Sequence, residues 1–274
     1  MPLNALLLAL GSAFLHAGWN LWVKTSTDRL VAMWGVVTGG AILFLPVVVI
    51  RGIDPVTYPY LAASGVVLTG YVFALAAAYD RVNFSLAYPV ARGTAPALAA
   101  LLSWVFLGET LGVTGTLAVG LIVGSLLWMV GKPSGVPGVE FALLTGFIIA
   151  TYSVIDAAGA RRIDDGLTYA AAVYVVNAVV ATPFVFLVRG RTVLKTARQE
   201  WVPMAIAGAA SVVAYALVLS AALLAAVGLV SAVRETSVIL GAWLGTVRLG
   251  EGGQKRRVVA AIGVVAGIAL LSFG

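Results

Sequence analysis

Arg92 and Arg234 each stand inside a long apolar run, and each has a threonine two residues on, Thr94 and Thr236. A planar guanidinium can grip a carboxylate or phosphonate through two parallel hydrogen bonds, so both arginines are candidates for holding an anionic group. Tyr88 lies one helical turn before Arg92 and shares its face, whereas Glu235 follows Arg234 and points about 100° away from it. His16, Asn20 and Lys24 are spaced four apart and form a polar stripe on one helical face, with Trp19 beside them. Tyr71, and the pair Tyr152 and Asp156 one turn apart, add further polar groups within apolar segments. Charged and polar side chains at membrane depth are too costly to face lipid, so they turn toward the bundle interior or a wet cavity. The candidate substrate-binding set is therefore His16, Asn20, Tyr71, Tyr88, Arg92, Tyr152, Asp156, Arg234 and Glu235. Two cations and two acids suit a zwitterion, and the aromatic rings would accept an apolar side chain. The competing reading locks the arginines to Asp156, Glu235 or helix carbonyls, away from any substrate, and lets Lys24 snorkel at its helix end.

Other chemistries lack the residues they need. The chain has no cysteine and one histidine, so disulfides, thiolate metal sites and thiol nucleophiles are excluded, and neither metal nor cofactor is expected. An integral-membrane enzyme would need a nucleophile–base pair or a ligand cluster, and the spacing offers neither. Nucleic acid is not an expected partner, because the formal charge of +6 forms no basic patch on a soluble domain. That charge points instead to anionic lipid headgroups.

The elements that must position these residues are membrane helices. With 61% hydrophobic and 10% charged residues, the chain has bilayer as its solvent. Ten stretches are long enough to span, near residues 2–23, 30–50, 59–79, 84–107, 111–130, 139–158, 167–188, 201–222, 225–249 and 256–273. The first reads as a retained span and not as a cleaved signal peptide. Connections are short apart from Arg189–Glu200. Tyr174 and Asn177 fall in the seventh span, Ser211 and Tyr215 in the eighth.

The chain also repeats itself. Val90–Glu109 aligns with Ala232–Glu251, 142 residues later, with nine of twenty positions identical, including both arginines and the closing Leu-Gly-Glu. Glu109 and Glu251 close turns there and read as structural. The expected organisation is a first five-helix repeat over 1–131, a turn-rich linker over 132–138 and a second five-helix repeat over 139–274. Five is odd, so the second copy must enter the membrane upside down. The expected fold is all-α integral membrane, ten transmembrane helices in two inverted five-helix repeats, the arrangement of an alternating-access carrier with its site near the midplane. Pro89 and Pro96 flank Arg92, so the fourth span should bend more than the ninth and Arg92 should be the more accessible arginine. The two arginines should lie on opposite sides of one central cavity. Gly120/Gly124 and Gly263/Gly267 form GxxxG pairs, which allow close helix approach within a monomer or, as the alternative, in a homodimer.

The HAGWNLWVK ending of the first span and YPVARGTAP…FLGET of the fourth, set in ten spans of two inverted halves, resemble the EamA-type transporters of the drug/metabolite transporter superfamily. The resemblance covers the whole chain. It implies a multi-pass carrier in the cytoplasmic membrane that moves a small polar metabolite, an amino acid or related zwitterion or anion, out of the cell. A weaker affinity to members associated with phosphonate use implies uptake of an organic anion as the alternative; a channel is a further one. The small four-span relatives carry a glutamate in their first span, whereas here His16 is the nearest ionisable group. Proton coupling would fall to His16 or Asp156. The resemblance implies cytoplasmic termini, whereas twelve Lys/Arg in loops after odd-numbered spans against three after even-numbered ones place the termini outside.

Overall fold

A computed structural model describes residues 1–81, 84–130, 137–240 and 254–273; the side chains of some helical residues, Lys24, Tyr79 and Tyr88 among them, lie outside that description. Ten α-helices occur among the described residues: α1 (Leu3–Thr25), α2 (Arg29–Arg51), α3 (Tyr58–Arg81), α4 (Phe84–Leu107), α5 (Gly112–Val130), α6 (Val139–Ile163), α7 (Gly166–Arg189), α8 (Thr192–Leu224), α9 (Val227–Arg234) and α10 (Gln254–Phe273). Seven are long and apolar enough to cross a membrane, α1 to α4 and α6 to α8; the apolar parts of α5 and α10 are shorter. The described residues contain no strand. Helix is what a bilayer demands, because every backbone N–H and C=O must be satisfied within the segment.

The side chains are distributed as lipid requires. On α1 the stripe Ala5, Ala9, Ala13 and Ala17 is buried, while Leu3, Leu7 and Phe14 point outward. Small residues let backbones approach and the bulky apolar ones meet solvent hydrocarbon. At the crossing of α2 and α8 backbone meets backbone. A Cβ added to Gly208 would lie 2.4 Å from the Gly40 nitrogen and 2.7 Å from the Val36 carbonyl oxygen, so nothing larger fits. At Gly263 and Gly267 a Cβ would collide with Ser125 and Ile122 of α5, whereas Gly120 and Gly124 have nothing within 4 Å. The second GxxxG therefore packs within the chain and the first faces outward.

Two ion pairs fix the direction of α2 against α7. Asp28 caps α2 by accepting from the Leu30 and Val31 amides, and binds Arg189 at the end of α7 at 2.7 Å. Asp165 caps α7 by accepting from Leu167 and Thr168, and binds Arg51 at the end of α2 at 2.9 Å. Start meets end both times, so the two helices are antiparallel. A carboxylate at an N-terminus and an arginine at a C-terminus each oppose the helix dipole there. The same inversion holds for α5 and α10, since Ser125 meets Gly263 while Ile122 meets Gly267. Some helix pairings recur when the halves are exchanged: α1 on α8 mirrors α6 on α3, and α4 on α6 is mirrored, less extensively, by α9 on α1.

Two details differ from expectation. The connection Arg189–Glu200 is not a loop: Thr192 onward is helical, buries Val193, and kinks at Glu200 (φ −116°, ψ 21°) before the membrane part of α8. The bend expected at the prolines is also displaced. α4 runs unbroken from Phe84 to Leu107, whereas α9 stops at Arg234, turns at Glu235 and resumes as helix over 236–240. Proline removes single hydrogen bonds that neighbours can replace, and the turn at Glu235 falls on the residue whose carboxylate the two arginines share.

Candidate functional site

Between the halves lies a small cavity walled by α1, α2, α3, α6, α7, α8 and α9. Its free space is about 60 Å³, room for a few waters. Most of the wall is apolar, from Met33, Val36, Leu68, Val72 and Val218. Aromatic rings pack edge to face around it: Tyr71 with Tyr152 at 5.8 Å, Tyr152 with Tyr215 at 6.1 Å, and His16 with Trp19 at 4.8 Å.

The polar groups on the wall are incompletely satisfied. Ser12 Oγ, His16 Nε2, Trp19 Nε1 and Asn177 Oδ1 are buried without a hydrogen-bond partner among the described residues. Each such group costs on the order of 1–3 kcal/mol unless something pairs with it. Arg234 reaches the wall from α9, donates from Nη2 to the Tyr152 hydroxyl at 3.4 Å, and has no hydrogen bond at Nε. Tyr174 and Ser211 satisfy one another at 2.5 Å.

A charged layer sits behind the wall. Glu235 is fully buried, 2.7 Å from Arg92 Nε through one oxygen and 3.9 Å from Arg234 Nε through the other. The arginines thus share one carboxylate instead of facing each other across the cavity, and they are equally buried, 2% and 3% exposed. Arg234 is the one that lines the cavity. The crossing of α4 and α9 makes this possible: at Gly228 a Cβ would lie 2.7 Å from that of Ala100. Asp156 is buried behind Tyr215 and accepts hydrogen bonds from the Tyr215 and Tyr169 hydroxyls, the latter at 3.3 Å. Asn20 spends its amide on the His16 carbonyl, 2.8 Å away in its own helix.

Of the residues singled out from the sequence, His16, Tyr71, Tyr152 and Arg234 line the cavity. Arg92, Asp156 and Glu235 stand behind it, and the Tyr88 side chain is outside the described residues. Trp19, Tyr174, Asn177, Ser211 and Tyr215 also line it. Trp19 stood beside the polar stripe of the first span, and the signal of the other four was present as polar side chains three or four apart in the seventh and eighth spans. It was indistinguishable there from polar residues that only bond to their own helix.

At one end of the bundle Glu109 links three elements. It accepts from Arg161 Nη2 at 2.5 Å and from the Val227 amide at 2.9 Å, capping α9. Arg161 also donates to the carbonyls of Ala222 and Ala225 where α8 ends. The first copy of Leu-Gly-Glu thus has a structural use, as a clasp joining the first half to α6, α8 and α9, whereas the second copy, with Glu251, lies outside the described residues.

Seven membrane-length helices, packed around a cavity whose polar groups are incompletely satisfied, define a multi-pass membrane protein. The particular family follows from sequence: the chain belongs to the EamA-like transporter family, whose model matches residues 3–131 and again 136–273. A protein of known crystal structure aligns over 99% of this chain and 97% of its own, with a TM-score of 0.75 at 17% identity, a likeness of fold alone. The curated proteins give no match.

Proposed function

We propose that this protein is a secondary carrier that moves a small polar metabolite, an amino acid or a related zwitterion or anion, across the cytoplasmic membrane by alternating access, in the direction of export. It is no enzyme in this reading, works as a monomer bathed in lipid, and needs no cofactor. The observation that carries it is the cavity itself. Helices of both repeats contribute its wall, and polar atoms on that wall lack partners that a substrate would supply. His16, Tyr71, Tyr152 and Arg234 touch the substrate, while Arg92, Glu235, Asp156 and Asn20 hold the wall in place.

Ten membrane helices in two inverted repeats, divided at residues 132–138, complete this reading. The antiparallel run of α2 against its repeat counterpart α7 supports the inversion. Equivalent elements in exchanged surroundings give two states of similar energy, open to opposite sides. Substrate entry must pull apart one set of contacts, and the clasp at Glu109 is the set closed here. A second reading, uptake of a phosphonate-like anion, is favoured by the single arginine on the wall.

Counterflow in proteoliposomes tests the carrier reading. Preloaded substrate should drive transient uptake of labelled substrate above its equilibrium level. A channel would only equilibrate it.

A further inference from the structure

The charge that faces the cavity has one sign. Among the described residues no aspartate or glutamate contributes to its wall, which carries one guanidinium, Arg234, and one imidazole, His16. The two acids nearest it are both turned away. Asp156 is covered by the Tyr215 ring, whose hydroxyl donates to it together with that of Tyr169. Glu235 lies behind Arg234 and gives its closer oxygen to Arg92, at 2.7 Å against 3.9 Å. Arg234, more than nine-tenths buried, therefore has the longer contact to the shared carboxylate, and it is the guanidinium that reaches the cavity wall. An incompletely paired charge in so dry a place is costly, and an incoming anion relieves that cost. An ammonium group would meet no carboxylate on the described wall: the unpartnered groups there that can accept from it are the Asn177 amide oxygen, the Ser12 hydroxyl and His16 Nε2, and neutral acceptors offset the desolvation of a cation less well than a carboxylate does.

We propose that the cavity selects small organic anions, carboxylates or phosphonates without an ammonium group, and that Arg234 is the residue that binds the anionic end. This rests on the carrier reading and narrows it from zwitterions to net anions. The anion enters between Arg234 and the unpartnered donors Trp19 Nε1 and Ser12 Oγ, with its alkyl part against Val36, Leu68 and Val218. Planar two-point contact with a guanidinium suits a carboxylate or phosphonate better than a spherical ion.

Thermal stabilisation of the purified full-length protein by four probes of similar size tests this: propionate, ethylphosphonate, alanine and propylammonium. Propionate and ethylphosphonate should half-saturate at concentrations about ten-fold lower than alanine, a difference of about 1.4 kcal/mol, and propylammonium should give no shift. Arg234→Gln should abolish the anion response. Arg198→Gln, which removes an exposed guanidinium away from the cavity, should keep it. If Arg234→Gln does not fold, Arg234→Lys should weaken the anions about ten-fold without changing the order of the probes. Tighter binding of alanine or propylammonium, an anion response that survives in Arg234→Gln, or no response to either anion at millimolar concentration overturns the inference. Counterflow on the same preparation separates the two claims. Anions that bind without exchanging contradict the carrier and leave the anion site; exchange of alanine but not propionate does the reverse.

Discussion

At the scale of the residue, a charge in a membrane protein is defined by what it has been paired with. Arg92 has the more conspicuous sequence setting, between two prolines and beside a tyrosine, yet it spends its guanidinium on Glu235. That outcome was not legible from spacing. Glu235 is adjacent to Arg234 in sequence, but helical geometry directs neighbours apart, and only the crossing of α4 on α9 decides which arginine receives the carboxylate. His16 and Tyr71 were legible, because a polar side chain deep in an apolar span has few places to go except inward. Outside the membrane the same logic gives a pH dependence. Burial raises the Asp165 carboxyl, but the Thr168 hydroxyl and amide and the Arg51 guanidinium outweigh that and hold it below its ordinary value of 3.8. A depressed carboxyl stabilises the fold fully above its ordinary value, and this contribution fades as pH falls toward its folded one. Asp165→Ala should cost about 1 kcal/mol at neutral pH through the lost cap. Its melting temperature should also fall less steeply than wild type between about pH 5 and pH 3. Equal slopes in the two proteins would show that Asp165 carries no such linkage.

At the scale of the element, the helices were largely legible and their junctions were not. Nearly every apolar run of about 20 residues became a helix within a few residues of its expected ends, because the bilayer leaves the backbone no alternative. The helical stretch after Arg191 was missed, since a segment so short and so rich in polar residues gives no such length signal. The break at Glu235 was missed because proline is the usual marker of a break and this one has another cause. Two substitutions probe the junctions. Gly208→Ala must push α2 and α8 apart, at a cost of about 1–3 kcal/mol from overpacking, so its melting temperature should fall while Gly124→Ala, in open space, leaves it unchanged. Glu109→Gln removes the charge that holds Arg161 and should cost about 2 kcal/mol. It should also raise the reactivity of a cysteine placed at Ala226, at the start of α9, toward water-soluble reagents. Unchanged reactivity would mean that the clasp does not close that end.

At the scale of the whole molecule, the repeat in sequence and the reciprocal ion pairs in space express one fact. Asp28 with Arg189 and Arg51 with Asp165 tie the start of one helix to the end of its counterpart, at both ends of the pair. The repeat was legible through Arg-x-Thr and Leu-Gly-Glu, and the family model matches the chain twice, over 3–131 and 136–273. The cavity was not, because seven helices contribute to its wall and no single span marks it. Charge reversal within one pair, Asp28→Arg with Arg189→Asp, should recover much of the stability that either single variant loses, although each helix end then opposes its own dipole. No recovery would show that the pair does not join α2 to α7 in the membrane. The central claim is that this cavity is reached alternately from the two sides of the membrane. Because the natural chain has no cysteine, Ser211→Cys places a single thiol on the cavity wall. In sealed vesicles of each orientation, a membrane-impermeant reagent should label that thiol from either face while none of the reagent crosses to the lumen. Labelling from one face only, under every condition, would contradict alternating access, and passage of the reagent into the lumen would make the protein a channel.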